Sequence, residues 1–187
     1  MFLTKIALTN WVNEYISTND VHQLVNNLFP SAPTHIARAD ADSPQILYRI
    51  EDAGTVTPTV IVQSRINPDA AGQTKHFAIP TFGEFLFRID AAPCLRNDGK
   101  ARTITNPDEQ LEWLTRKLSG ACTIHEGAVV SSKFVVARRA GSEVRFPKAR
   151  FEGVLSIDDG PLFQGIVAAG IGRHRAWGCG LLSLAPA

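Results

Sequence analysis

Residues Gly170-Ile171-Gly172-Arg173-His174-Arg175-Ala176-Trp177-Gly178-Cys179-Gly180 hold the densest set of side chains and backbone that could do chemistry. Glycine lets a backbone come close to a partner, and the N–H groups of such a loop can hold phosphate oxygens. Gly170, Gly172 and Gly178 are the candidate phosphate-facing glycines, with Arg173, His174 and Arg175 supplying charge at the same place. The stretch follows a predicted helix and precedes a strand, the reverse of a dinucleotide-binding turn, and it lacks the Lys-Ser/Thr of a P-loop. Two readings stand: a loop that touches phosphate, or a tight helix-to-strand connection.

His22 is the second candidate. It falls in the first turn of a helix predicted to start near residue 20, with Asn26 one turn further along the same face. The partial positive charge at a helix N-terminus disfavours imidazolium, and a neutral imidazole is what a general base must be. The alternative is an ordinary exposed helix histidine. His35, His76, His125 and His174 have no metal-ligand spacing, so neither a metal nor a cofactor is expected. Asp40, Asp42, Glu51 and Asp52 form no catalytic constellation and read as solvated. Cys94, Cys122 and Cys179 are far apart and form no Cys-x-x-Cys, which suggests buried, reduced thiols.

The net charge of +1 hides an uneven distribution. Residues 1–87 hold 5 basic and 8 acidic side chains, residues 88–150 hold 12 and 7, and residues 151–187 hold 2 and 3. The surplus centres on Lys133, Arg138, Arg139, Arg145, Lys148 and Arg150, opposed in that stretch by Glu143 alone. Such a block suggests a surface that faces a polyanion, although charged strands are also common at solvated sheet edges. No apolar run reaches the roughly 18 residues of a membrane span, and the start lacks the pattern of a signal peptide, so no membrane partner and a cytoplasmic location are expected.

These candidates must be positioned by a mixed set of elements. Strands are predicted over 2–8, 46–51, 58–64, 84–90, 122–130, 133–138, 151–157 and 181–184. Val21, Leu24, Val25 and Leu28 give the first helix its apolar stripe, with Pro30 as its stop. Asn106 caps a second helix that starts at Pro107, carries Leu111, Leu114 and Leu118, and ends at Gly120. A third runs from Pro161 to Gly170, and Ala140-Gly141-Ser142 turns the basic block into a hairpin. The strict strand–helix alternation of a nucleotide-binding sheet is missing. An α+β chain of two tandem split-βαβ units fits, with a boundary near residues 90–100.

Segments along nearly the whole chain resemble CasE, the repeat-processing endoribonuclease family of type I-E CRISPR systems within the RAMP superfamily. They include Met1-Phe2-Leu3-Thr4-Lys5, His22-Gln23-Leu24, Leu28-Phe29-Pro30, Leu47-Tyr48-Arg49, Phe85-Leu86-Phe87-Arg88, Trp113-Leu114-Thr115-Arg116-Lys117-Leu118 and Phe151-Glu152-Gly153-Val154-Leu155. The most specific is the ending, Gly178-Cys179-Gly180-Leu181-Leu182-Ser183-Leu184-Ala185-Pro186.

The resemblance implies two ferredoxin-like (RRM-like) domains: residues 1–90 with the candidate catalytic histidine, a linker at 91–102, and residues 103–187 with the basic hairpin and glycine loop. It implies binding of a CRISPR repeat stem-loop and metal-independent cleavage at the 3′ base of the stem by 2′-OH attack. The product would stay bound within a Cascade-like complex of other subunits, of type I-E or type IV, and DNA is no direct substrate. His22 and Arg175 match its catalytic positions; Arg138 and Arg139 match the hairpin that grips the stem; Arg96, Lys100 and Arg102 are linker-side RNA contacts. Where family members often carry a tyrosine three residues before the histidine, this chain has Asn19, with Tyr15 as the nearest substitute. Its Asp90-Ala91-Ala92-Pro93 also replaces an Arg-Ala-Asn-Pro segment. A non-cleaving RNA-binding subunit of the same fold is the alternative.

Overall fold

A computed structural model of the chain describes residues 1–8, 17–29, 46–51, 57–68, 73–97, 100–139 and 142–187. Each helix forms where capping chemistry and an apolar stripe coincide. Helix α1 (Thr18–Asn27) is capped by Ser17, whose hydroxyl oxygen accepts from the Asp20 N–H at 3.2 Å, and it buries Val21 and Val25. Helix α2 (Pro107–Leu118) is capped by Asn106, which accepts from the N–H groups of Asp108 and Glu109. It buries Gln110 and Trp113 besides the expected Leu114 and Leu118, so its inward face is rotated from the predicted stripe. Helix α3 (Gly160–Ala169) starts at the Asp159 cap and stops at Gly170, whose φ of 76° lies in the left-handed region.

Two four-stranded antiparallel sheets carry these helices. The first has the order β2-β3-β1-β4, from β1 (Phe2–Ala7), β2 (Ile46–Glu51), β3 (Thr59–Ser64) and the short β4 (Gln73–His76), which was not predicted. Val21, Val25 and Leu28 of the α1 segment pack on Ile46, Tyr48, Val60 and Val62 of this sheet. The second has the order β10-β5-β9-β8, from β5 (Glu84–Ala91), β8 (Cys122–Arg139), β9 (Ser142–Ile157) and β10 (Leu182–Pro186). With α2 and α3 it forms a complete βαββαβ ferredoxin-like unit. Its core joins Phe87, Ile89, Phe151 and Leu155 to Trp113, Leu114, Phe163 and Val167. The described part of the first unit has the same strand order.

Several expectations are corrected here. Strand β5 pairs with β9 and β10, so the second unit begins before residue 90, not at 103. The predicted linker forms a two-stranded hairpin, β6 (Cys94–Asn97) and β7 (Lys100–Thr103), inserted between β5 and α2. The separate strands expected at 122–130 and 133–138 are one strand, β8, with register shifts at Ile124/Glu126 and Val129/Ser131. Its partner β9 likewise extends the strand expected at 151–157 back to Ser142, so the basic hairpin projects from the sheet. At its root the strands approach so closely that a Cβ on Gly153 would lie 1.9 Å from the Glu126 carbonyl oxygen.

The two units are joined by buried charge. Arg49, 2% exposed, donates from Nε to Glu51 (2.7 Å), from Nη1 to the carbonyls of Arg88 (2.9 Å) and Leu181 (3.1 Å), and from Nη2 to Ser183 (3.0 Å). Glu51 also receives Arg88 (3.0 Å) and Arg150 (3.4 Å). Arg150 holds Asp90 with two hydrogen bonds, at 2.7 and 3.1 Å, and donates to the Ile50 carbonyl. Lys148 reaches Asp90 at 3.1 Å. Glu51, expected to be solvated, is thus 7% exposed and paired, and Asp90 is 3% exposed and paired as well.

Removing one member of such a network strands the others in a low-dielectric interior. Arg49→Met is expected to cost about 3–5 kcal/mol in chemical denaturation. Arg116→Ala, which breaks only the exposed 3.8 Å pair with Glu112, is expected to cost less than about 1 kcal/mol. Burial alone would raise the Asp90 carboxyl, but Arg150 and Lys148 outweigh it and hold the group below its ordinary value. Its contribution to stability is therefore present above the unfolded carboxyl pKa of about 3.9 and lost as pH falls further. Acid unfolding followed by circular dichroism should show a shallower dependence in Asp90→Asn.

Candidate nucleic-acid interface

The glycine stretch wraps the edge of β2. A Cβ on Gly170 would lie 2.7 Å from Leu47 Cδ2, and one on Gly178 would lie 3.0 Å from Tyr48 Cε2. Leu47 and Tyr48 point to opposite faces of the strand, so the loop straddles it. Gly172 is packed as closely against Trp113, and Gly180 against the backbone of Ile171. The Tyr48 hydroxyl donates to the Ala176 carbonyl at 2.9 Å, and Arg175 Nη1 donates to the Ala169 carbonyl at the end of α3. The crowding that requires glycine is thus internal. The N–H groups of Gly170 and Gly178 are bound to Ile166 and Arg175 carbonyls, which removes the expected reason for these two glycines to hold phosphate.

His22 faces this loop at the short 3₁₀ turn Arg175–Trp177. The ring is half-buried, and desolvation lowers its pKa below 6.5 against a smaller raising effect of the Ala176 backbone. Its Nδ1 is buried without a protein hydrogen-bond partner. Burial, rather than the helix N-terminus, is the leading cause that favours the neutral imidazole here. His22 and Arg175, the expected catalytic pair that lies within the described residues, are on adjoining elements; Tyr15 lies outside them.

His174 is not a phosphate-facing cation. It adopts a left-handed backbone (φ 59°) and stacks on Phe146 at 4.0 Å and 8°, with Trp177 next in the stack at 5.5 Å from it. Burial, then the charge of Arg173, push its pKa down to about 4. Arg173 itself is exposed.

The basic block divides between two faces. Lys148 and Arg150 share a face of β9 with buried Phe146 and turn inward onto Asp90 and Glu51, so their charge is compensated inside the fold and the expectation that they meet RNA is not carried by their geometry. Lys133, Arg138 and Arg145 are exposed. Arg145 lies over the Phe134 ring at 4.8 Å, and Phe134 and Val136 beside it are 51% and 48% exposed. Arg139 pairs with Ser142 at the hairpin end, Arg96 and Lys100 lie in the β6–β7 hairpin, and Arg102 is exposed on β7. The side chains of Arg139, Arg96 and Lys100 lie outside the described residues. Among the described residues, no three His, Cys, Asp or Glu side chains are grouped to hold a metal ion.

Two contributors were not predicted. Tyr48 supports the loop under His22, and the only hint was a hydroxyl in an apolar strand. Asn19 donates from Nδ2 to the Arg138 carbonyl at 3.0 Å and accepts on Oδ1 from the Arg138 N–H at 2.9 Å, joining α1 to the basic hairpin.

Two ferredoxin-like units with a half-buried histidine set against a glycine loop define the fold and the candidate site, and comparison with known proteins gives their family. A family described as CRISPR associated protein matches residues 1–186. The chain is 29% identical to the CRISPR system Cascade subunit CasE of Escherichia coli K12 over 208 aligned positions, covering all of both chains. It is 30% identical to the CRISPR-associated endoribonuclease Cse3 of Thermus thermophilus, covering 76% of this chain and 80% of the relative. A structure of Thermus thermophilus Cse3 bound to an RNA representing a pre-cleavage complex superposes with a TM-score of 0.81 at 25% identity, over 99% of this chain and 98% of that one. The crystal structure of Cas6e from Escherichia coli K-12 gives 0.75 at 27% over all of both chains. The chain belongs to the CasE/Cse3 family of CRISPR-associated proteins. Among the described residues no helix is long and apolar enough to cross a membrane.

The His174 pKa carries a definite sign. The group is held below its ordinary 6.5, so its neutral form contributes stability in full above about 6.5 and loses it as pH falls through about 4. Urea unfolding at pH 7, 5.5 and 4.5 should show this loss in wild type. His174→Asn, which tolerates the left-handed backbone and does not titrate, should show a flatter profile.

Proposed function

We propose that this protein is an endoribonuclease that grips the stem-loop of a CRISPR repeat RNA and cuts it at the 3′ base of the stem without a metal ion. The carrying observation is His22: a neutral, half-buried imidazole against the Ala176 turn, on a helix tied to the exposed basic hairpin. An RNA stem offers shape and phosphate, and its deep major groove hides the base edges, which suits a hairpin bearing Lys133, Arg138 and Arg145. Arg102 and Arg173 are further exposed cations assigned to RNA contact, and Arg96, Lys100 and Arg139 are assigned to it from their places in the two hairpins.

In the reaction the ribose O2′ attacks the adjacent phosphorus while the P–O5′ bond breaks. His22 takes the 2′-OH proton and, as the imidazolium so formed, returns it to O5′ as that oxygen leaves, giving a 2′,3′-cyclic phosphate and a 5′-OH. Arg175 anchors the loop on the end of α3 and thereby sets where His22 meets the strand. The relatives named Cascade subunit and endoribonuclease support a product that stays bound in a Cascade-like effector complex in the cytoplasm, serving antiviral defence.

Cleavage of end-labelled repeat RNA in EDTA tests the reading. Wild type should cut, a 2′-deoxy residue at the cut site should abolish cutting, and His22→Ala should slow it by roughly 10²–10⁴ with RNA affinity nearly unchanged. Equal rates for wild type and His22→Ala would remove the histidine from the chemistry. Tight binding with no cleavage by wild type would favour a grip-only subunit, to which the absence of a tyrosine at Asn19 points. Arg138→Ala combined with Arg145→Ala should weaken binding and flatten its dependence on log salt by roughly 0.7–0.9 for each phosphate no longer neutralised. An unchanged slope would place the RNA elsewhere.

A further inference from the structure

Helix α1 and the basic hairpin come from different units of the fold, and the two must hold a constant spacing if one grips RNA while the other cuts it. Strand β8 is the outer strand of its sheet, so the backbone groups of Arg138 that point away from β9 face open space. The Asn19 carboxamide fills that edge with two hydrogen bonds, one in each direction. A primary amide has the donor and acceptor spacing of a peptide group, so it pairs with the strand as one further residue of a sheet would. Asn19 lies three residues before His22, which places both on one face of α1. The helix end itself is fixed by Ser17 and Asp20, whose side chains bond each other.

We propose that Asn19 is a positioning residue: its amide pairs with the open edge of β8 at Arg138 and fixes the distance between His22 and the RNA-gripping hairpin. The proposal rests on the cleavage reading above and deepens it. At this position the chain places a clamp between binding and cutting. Losing it leaves the hairpin able to hold RNA but lets the imidazole drift from the scissile phosphate, and about 1 Å of misplacement can cost on the order of 100-fold in rate.

The test compares wild type, Asn19→Ala, Asn19→Asp, Asn19→Gln and His22→Ala in single-turnover cleavage of repeat RNA, with the RNA dissociation constant and hydrogen exchange of the Arg138 amide measured on the same proteins. Asn19→Ala should cut about 10–100-fold more slowly at saturating RNA. Its dissociation constant should stay within about 3-fold, and its Arg138 amide should exchange faster, with exchange in the β-sheet cores unchanged. Asn19→Asp should be at least as slow, because its carboxylate would face the Arg138 carbonyl oxygen. Asn19→Gln, which keeps the amide, should recover most of the rate. If Asn19→Ala does not fold, the Asp and Gln variants carry the same contrast.

Wild-type rate and unchanged Arg138 exchange in Asn19→Ala would overturn the proposal. So would a loss confined to affinity, with full rate at saturation. If His22→Ala instead cuts as fast as wild type, the role of His22 in cleavage falls by itself. The clamp then stands or falls on the Arg138 exchange and its recovery in Asn19→Gln.

Discussion

The guanidinium of Arg49 is the contact on which the rest depends. It comes from an edge strand of the first sheet and ends among the carbonyls of β5 and the segment leading into β10 in the second. Glu51, Asp90, Arg88, Lys148 and Arg150 extend it into a network in which each buried charge has an opposite partner. Buried ion pairs add little net stability compared with apolar packing, but they tolerate few alternative arrangements, because any slip leaves a charge uncompensated. Two units joined by leucines could slide; joined this way they keep one register.

That register is what brings the site together. The loop that wraps β2 belongs to the second unit, and Tyr48, which supports it through Ala176, belongs to the first. The Gly180 N–H donates to the carbonyl of Asp90, so the loop is tied directly to the charged junction. His22 meets the loop at the Arg175–Trp177 turn, where burial lowers its pKa.

The elements were largely legible because capping residues and apolar spacing are local: Asn106 before Pro107, or Val21 and Val25 on one stripe. The assignment of β5 to a sheet was not, since a strand pattern says which face is buried and nothing about which neighbour it pairs with. Lys148 and Arg150 illustrate the same limit. Their alternation with Ala149 and Phe151 shows that they share a face, but their acidic partners Glu51 and Asp90 are remote in sequence. The glycines signalled close approach correctly, and the approaching groups turned out to be Leu47, Tyr48 and Trp113. Asn19 could be seen as a departure from the family pattern, yet its pairing with Arg138 depends on an edge that only the assembled sheet creates.

The register shifts in β8 have a consequence for the protein before it meets any partner. An 18-residue outer strand with exposed Phe134 and Val136 is a template for another copy of the same strand. The bulges at Ile124/Glu126 and Val129/Ser131 break its hydrogen-bonding repeat, Lys133 adds a charge, and Asn19 occupies the edge near the tip. The edge is thereby cut into shorter runs, the last of them closed by Asn19 at Arg138, so a second copy of the chain has less open strand to pair with.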